Sequence, residues 1–389
     1  MPPIVPRQEI EQRIARFQTA LRDAELDAAL IVESSDLYYL TGTNQDAHLV
    51  VPAEGEPVYL VRRDLGRARD ESPLEHVEPL RSLRELGPAV QAAAGDVRRL
   101  GLEFDVLPVA NYQRYAKALP GVELVDCFAL LRPLRAVKSD WEVGRIRGAA
   151  QQIRIAWEAV PGLLRPGMTD RELQVDIEHL MRSNGHQGPC RFRGMNGEMY
   201  FGAVLAGPDA AVPSAADTPF GGWGPSPAIG RGPRGGEIVP GGAVSVDLVG
   251  AIDGYLADGT RTYGIGPLEE PLASALAVCE RILTEVEQLL VPGTPWQLPY
   301  ERGLELATEA GFGDGWMGSG PGRVTFIGHG IGLEINEPPF LARGLDQPLE
   351  PGHVIAVEPK LAFPGLGAVG VENSYLVRAE GGPENLTPW

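Results

Sequence analysis

The stretch AVSVDLVGAIDGYLADGTRTYGIG, residues 243–266, predicts a β-hairpin that carries two acids on one face. Its central Asp253-Gly254 dipeptide is a strong signal for a two-residue turn. A turn at this dipeptide places Asp258 opposite Val249 on the facing strand. Because side chains alternate along a strand, Asp247 then shares a face with Asp258, and the two carboxylates become diagonal neighbours.

A carboxylate among apolar strand residues is unstable without a partner, so a cation is expected between Asp247 and Asp258. The alternative is a solvent-facing pair of acids on an edge hairpin. The hairpin alone does not decide between the two interpretations, because short motifs also occur by chance.

Three later stretches favour the cation. FIGHGIGLEINEPP places His329 between glycines, whereas VIAVEPKL and AVGVENSYLV place Glu358 and Glu372 inside apolar runs. A lone histidine is usually structural, and a lone acid can pair with an arginine. Four acids and a histidine in one region are better explained together, as the ligands of a metal site.

The ligand types indicate which metal ions to expect. Carboxylates with one imidazole suit Mn²⁺ or Co²⁺, with Zn²⁺ or Fe²⁺ as alternatives. Four carboxylates exceed the needs of one catalytic ion, so the sequence predicts two ions about 3.5 Å apart. A water molecule between two dications loses a proton near neutral pH and becomes a nucleophile, which predicts a hydrolase.

The order of helical and strand-like patterns predicts two domains. Helical spacing of apolar residues at 8–25 is followed by alternating short strands and helices, which indicates a small α/β domain over residues 1–132. Capping boxes at Ser139 and Thr169 begin two helices of a second domain, residues 139–389. A segment rich in Gly and Pro, 208–242, predicts a long loop that is either functional or disordered.

Composition excludes some classes of partner. The chain of 389 residues has a net charge of -18, which would repel nucleic acids and anionic membranes. The three cysteines form no motif, and no stretch is apolar enough for a signal peptide or a membrane span. We therefore expect a soluble cytoplasmic protein.

These motifs resemble those of the pita-bread metallopeptidases: Xaa-Pro aminopeptidases, prolidases, methionine aminopeptidase and their creatinase-like relatives. The resemblance extends over essentially the whole chain and implies a creatinase/prolidase-type α/β N-terminal domain before an α+β pita-bread domain. It implies that Asp247 holds one metal ion and that Asp258 and Glu372 bridge both. His329 and Glu358 would hold the other ion, Glu358 would also transfer the catalytic proton, and Thr260 would support the ligands.

The sequence departs from the family around the substrate. Ser214 and Asn336 stand where the family usually has histidines, Ala362 replaces a common tyrosine, and Gly370 replaces an arginine. Serine and asparagine can form hydrogen bonds but carry no charge. Any substrate carboxylate would therefore need another cation.

Two arginines of the glycine-rich loop, Arg231 and Arg234, are candidates for that cation, since arginine binds carboxylates through paired hydrogen bonds. Together with Ser214 and Asn336 they form the predicted substrate-binding set. Capture of a free C-terminus would make the enzyme a carboxypeptidase-like variant. The alternative is that both arginines are solvated, as most loop arginines are.

Three functions are compatible with these residues. The first is a two-metal peptidase that cuts a small peptide next to proline and forms a homodimer, as the resemblance implies. The second is a small-molecule amidohydrolase of the creatinase or ectoine-hydrolase type, favoured by the missing histidines. The third is a non-catalytic binding module, which the five retained ligand positions disfavour.

Overall fold

The computed structural model describes residues 4–388 and divides into two compact units. The first unit extends to Arg135 and also includes residues 193–197, and the second contains the remaining residues. The sequence predicts domains at 1–132 and 139–389 and gives no sign that 193–197 packs with the first unit.

The first unit is built on a six-stranded mixed sheet with helices. Its strands are β1 (Ala28–Ile31), β2 (Ala47–Pro52), β3 (Val58–Val61), β4 (Val77–Pro79), β5 (Arg99–Leu102) and β6 (Glu123–Asp126). Its helices are α1 (Arg7–Asp23), α2 (Ser34–Thr41), α3 (Leu65–Glu71), α4 (Leu86–Ala94), α5 (Val109–Ala118) and α6 (Phe128–Ala136), the last of which ends in the second unit. The strand order is β4-β3-β2-β1-β5-β6.

Strand β1 lies inside this sheet, antiparallel to β2 and parallel to β5. All four of its residues are buried, as expected for an apolar strand covered on both faces. The predicted amphipathic helix is α1, which buries Ile10, Ile14 and Phe17 on one side. The predicted α/β class of this domain is therefore confirmed.

The second unit combines four long helices with three sheets. The helices are α7 (Asp140–Leu163), α8 (Asp170–Ser183), α9 (Leu272–Glu287) and α10 (Gln297–Glu309). The strands are β7 (Gly202–Ala206), β8 (Val244–Ile252), β9 (Tyr255–Tyr263), β10 (Phe326–Gly330), β11 (Glu337–Ala342), β12 (Val354–Val357), β13 (Lys360–Phe363), β14 (Gly367–Gly370), β15 (Asn373–Leu376) and β16 (Glu384–Asn385). The sheets have the orders β7-β8-β9, β11-β10-β12-β15-β16 and β13-β14.

The β8–β9 hairpin has the predicted register. Val249 pairs with Asp258, and the turn residues Asp253 and Gly254 have φ angles of 49° and 86°. Both angles lie in the left-handed region that a type I′ turn requires, which explains why this dipeptide fixes the pairing. Asp247 and Asp258 therefore lie on one face of the hairpin.

Helices α7 and α8 begin at the predicted capping boxes, Ser139 with Glu142 and Thr169 with Glu172. Helix α7 packs closely on the hairpin at Gly250. A β-carbon at this residue would lie 2.0 Å from the carbonyl oxygen of Ala149, so only glycine permits this approach. No helix between residues 4 and 388 is both long and apolar enough to cross a bilayer.

Candidate metal centre

Three strands and the segments beside them bring the five predicted ligands together. Asp247 lies on β8, Asp258 on β9 and His329 on β10, whereas Glu358 follows β12 and Glu372 precedes β15. Because β12 pairs with both β10 and β15, the last three side chains converge. Asp258, Glu358 and Glu372 are buried. The side chains of Asp247 and His329 are 18% and 14% exposed, respectively.

Asp258, His329 and Glu372 can each offer one ligand atom within 4.8 Å of the others. Nε2 of His329 lies 4.0 Å from Oδ2 of Asp258 and 3.7 Å from Oε1 of Glu358. Oε1 of Glu372 is buried and accepts no hydrogen bond from residues 4–388. Since buried carboxylate oxygens normally have partners, this oxygen and the mixed donor set fit one divalent ion.

A lysine that the sequence analysis did not single out lies in the same centre. Nζ of Lys360 is 2.7 Å from Oε2 of Glu358, 3.0 Å from Oδ2 of Asp247 and 3.3 Å from Oε2 of Glu372. The residue is only 1% exposed. Its place in the apolar VIAVEPKL run was a usable signal, because a lysine is rarely buried without acidic partners.

The expected pair of metal ions does not fit these residues as they stand. Asp247, the acid assigned to a separate ion, instead forms an ion pair with Lys360. An ammonium group at this distance would repel a dication on the same carboxylate. The donor set that stays open, Asp258, His329 and Glu372 with Oε1 of Glu358 near the imidazole, suits a single ion.

The stem of Lys360 fits because the residue opposite it has no side chain. Lys360 pairs with Gly370 across β13 and β14. A β-carbon on Gly370 would lie 2.5 Å from Cγ of Lys360, which is shorter than any normal contact. The ring of Phe220, from the glycine-rich segment, lies 5.4 Å from Nζ and gives the ammonium group a further favourable contact.

Burial dominates the acid-base properties of the centre. Burial raises the pKa of Asp258 well above its usual range, and the carboxylates of Glu372 and Asp247 add to the rise. Burial also raises the pKa of Glu372 to about 8, although Lys360 acts in the opposite direction. Burial by itself lowers the pKa of Lys360, but its three acidic neighbours outweigh burial and raise that pKa well above normal.

Neighbouring side chains orient the ligands. The Thr260 hydroxyl donates to Oε2 of Glu372 at 2.7 Å. Nη1 of Arg261 donates to the backbone oxygen of Glu372 at 2.7 Å, and its guanidinium lies 3.9 Å from the ring centroid of Trp157. Ser374 accepts from the N–H of Asp258 and donates to its carbonyl oxygen. These contacts hold Asp258 and Glu372 in place before any ion binds.

The predicted substrate-binding residues have different surroundings. Arg234 forms a two-bond ion pair with Asp209 at 2.7 and 3.0 Å, which already engages its guanidinium. Arg231 is half-buried and has no ion-pair partner among residues 4–388. The Ser214 hydroxyl accepts from the N–H of Ala216, and Asn336 is half-buried between β10 and β11. The two arginines therefore differ in that, among the described residues, a carboxylate already engages Arg234 but not Arg231.

A second group of acids, in the first unit, has a different character. Glu33, Asp36 and Glu103 lie close enough together to resemble a metal site. Nη1 atoms of Arg135 and Arg193 each lie 2.7 Å from Asp36, which places two guanidinium groups against these acids. We read this group as a buried ion-pair network.

Comparison with known proteins places the two units in known families. A model described as Metallopeptidase family M24 matches residues 144–379, more than half of the chain. A model described as Creatinase/Prolidase N-terminal domain matches residues 13–137.

Relatives similar over nearly the full length carry dipeptidase names. The chain is 28% identical over 380 residues to "Probable dipeptidase PepE" of Mycobacterium tuberculosis, covering 95% of this chain and 92% of that protein. It is 24% identical over 375 residues to the "Xaa-Pro dipeptidase" of Pyrococcus horikoshii, covering 96% of each.

Solved structures agree on the fold. The crystal structure of the prolidase from Pyrococcus horikoshii matches with a TM-score of 0.82 and 22% identity, covering 97% of this chain and 98% of that one. Dipeptidase PepE from Mycobacterium ulcerans matches with a TM-score of 0.78 and 25% identity, covering 98% and 96%. The expected combination of an α/β domain and a pita-bread domain is confirmed, and the chain belongs to metallopeptidase family M24.

Proposed function

We propose that this protein is a metal-dependent peptidase of the prolidase type, which hydrolyses small peptides at a bond next to proline. The observation that carries the proposal is the group formed by the buried Asp258 and Glu372 with the half-buried His329, in a chain of family M24; Oε1 of Glu372 has no hydrogen-bond partner among residues 4–388. The names of the full-length relatives, dipeptidase and Xaa-Pro dipeptidase, support the choice of substrate.

The proposed chemistry divides the work among a few side chains. Asp258, His329 and Glu372 would hold a divalent ion, which would supply Lewis-acid activation of water and of the peptide carbonyl. Glu358 presents Oε1 towards His329 while Lys360 holds Oε2. This fixed carboxylate is suited to take a proton from the attacking water and to pass it to the leaving amine.

Arg231 is the cation that we propose for the free carboxylate of the substrate. It belongs to the same glycine-rich segment as Phe220, whose ring faces Lys360 in the centre. Arg234 is the weaker candidate because Asp209 engages it. We propose that Ser214 and Asn336 contribute only neutral hydrogen bonds to the substrate.

Further properties complete the proposal. Manganese or cobalt suits the carboxylate and imidazole donors, with zinc or iron as alternatives. We propose a cytoplasmic location on the basis of the buried free thiols of Cys127, Cys190 and Cys279. A homodimer assembled through the first unit is the quaternary structure that we expect.

A peptide digest tests the proposed function. Purified protein with added Mn²⁺ is incubated with a library of Xaa-Pro, Pro-Xaa and proline-free peptides, and the products are identified by mass spectrometry. We expect cleavage next to proline that disappears in Glu358→Gln, a variant that retains the shape of the side chain. Intact peptides in every class would overturn the proposal.

The substitutions around the centre favour one alternative. Four residues differ from those that the family usually has at the same positions: Ser214, Asn336, Ala362 and Gly370. A small-molecule amidohydrolase would account for these changes. Hydrolysis of N-acyl amino acids or cyclic amidines, in the absence of any peptide cleavage, would favour this alternative.

A further inference from the structure

The position of Lys360 has a consequence for the number of metal ions. We propose that its ammonium group permanently takes the place of one of two divalent ions, so that the centre binds a single ion at Asp258, His329 and Glu372. This inference rests on the metal-binding part of the proposed function and is independent of the substrate.

The contacts of Lys360 resemble those of a bound cation. Its Nζ is within 3.3 Å of carboxylate oxygens from Asp247, Glu358 and Glu372, which belong to three separate parts of the unit. Lys360 is only 1% exposed, so its amine, which is surrounded by three carboxylates, has almost no contact with water. A cation in this place offsets the repulsion among carboxylates that are otherwise close together.

The surrounding residues hold the lysine in this position. Gly370, directly opposite, leaves space that the lysine stem occupies, and Phe220 closes the ammonium group from another side. A second ion on Asp247 would have to displace an ammonium group that already has three carboxylate partners. Because the lysine is covalently part of the chain, its positive charge is present whether or not metal ions are supplied.

The open part of the centre retains what a single ion needs. Oε1 of Glu372 has no hydrogen-bond partner among the described residues, whereas its Oε2 is engaged by Lys360 and Thr260. Glu358 is divided in the same way, with Oε2 on Lys360 and Oε1 near His329. Each glutamate thus directs one oxygen to the lysine, which leaves Oε1 of Glu372 for the metal ion and Oε1 of Glu358 for proton transfer.

The test counts bound ions. Chelator-treated full-length protein is titrated with Mn²⁺ by calorimetry, and electron paramagnetic resonance is recorded on the loaded sample. We expect one equivalent, with the spectrum of an isolated ion, in the wild type. We expect two equivalents, with the spectrum of a coupled pair, in Lys360→Ala. Lys117→Ala, an exposed lysine of α5, is the matched control and should behave as the wild type.

Two equivalents in the wild type, or none, would overturn the inference. Unchanged binding in a folded Lys360→Ala variant, checked by circular dichroism, would also overturn it. If that variant does not fold, the wild-type stoichiometry and spectrum still decide the question. Loss of peptide cleavage with one bound ion would count against the proposed substrate alone, so the two failures are distinguishable.

Discussion

Lys360 and Gly370 lie directly opposite each other on β13 and β14, and the Cγ of the lysine occupies the space that a side chain at residue 370 would need. The presence of the buried lysine and the absence of an opposing side chain are thus two parts of one arrangement. Each residue is unusual alone, but together they place a fixed positive charge among the acids of the metal centre.

The first prediction concerns this pair. Gly370→Ala should destabilise the protein by about 1–3 kcal/mol, because its methyl group would overlap with the lysine stem. The penalty should shrink in a Lys360→Ala background, where the stem is absent. Urea unfolding of both single variants and the double variant measures this coupling. Gly230→Ala, at a position with open space, is the control, and an equal penalty in both backgrounds would contradict the prediction.

The second prediction concerns the hydrogen bond from Thr260 to Glu372. Thr260→Val retains the shape of the side chain but removes the donor that orients a metal ligand. We expect Mn²⁺ affinity to fall about 10–100-fold, the usual effect of losing such support. Calorimetric titration measures the affinity, and Thr284→Val on the surface of α9 serves as the control. Unchanged affinity would show that Glu372 is held in place by its other contacts.

The third prediction separates the two loop arginines. Arg231→Ala should raise KM for a dipeptide about 10–100-fold with little change in kcat, as loss of a charged hydrogen bond implies. The matched Arg234→Ala removes an ion pair with Asp209 and should affect KM much less. Steady-state kinetics with a dipeptide and its C-terminal amide provide the measurement. Equal KM values for wild type and Arg231→Ala would exclude Arg231 from the substrate site.

The fourth prediction concerns the pH dependence of stability in the first unit. Burial, assisted by Arg62, lowers the pKa of His48 from 6.5 to about 4. Between these values the unfolded chain binds a proton that the folded protein does not, so this contribution to stability is lost as pH falls below about 6.5. His48→Gln should remove about 2 kcal/mol of the stability difference between pH 7 and pH 5.

Urea unfolding at the two pH values checks this prediction, with His179→Gln on the exposed side of α8 as the control. Other buried histidines, such as His353, preserve part of the pH dependence in both variants. The prediction is therefore a smaller difference in His48→Gln than in His179→Gln. Identical pH dependence in the two variants would count against it.

The sequence predicts those features that depend on local chemistry. The turn at Asp253-Gly254 requires two left-handed residues, so the dipeptide itself sets the register that pairs Val249 with Asp258. Capping boxes are equally local, and both predicted ones are formed. Helix α2 is not evident in this way, because its eight residues have no long apolar repeat and its N-cap is Glu33 rather than one of the usual N-cap residues.

Features that depend on distant pairing were not predictable in this way. The environment of Lys360 follows from its pairing with Gly370 and from Asp247 and Glu372, which lie 113 and 12 residues away along the chain. The ion pair of Arg234 likewise needs Asp209, which is 25 residues away. The sequence therefore indicates the acids of the centre, whose burial is evident from apolar runs, but not Lys360, the cation that lies among them.

The proposed centre binds one metal ion at Asp258, His329 and Glu372, beside Lys360. Anomalous diffraction from crystals soaked in Mn²⁺ tests it most directly. We expect one peak among Asp258, His329 and Glu372, with Lys360 still on Asp247. Two adjacent peaks with Lys360 displaced, or no peak at these side chains, would contradict it.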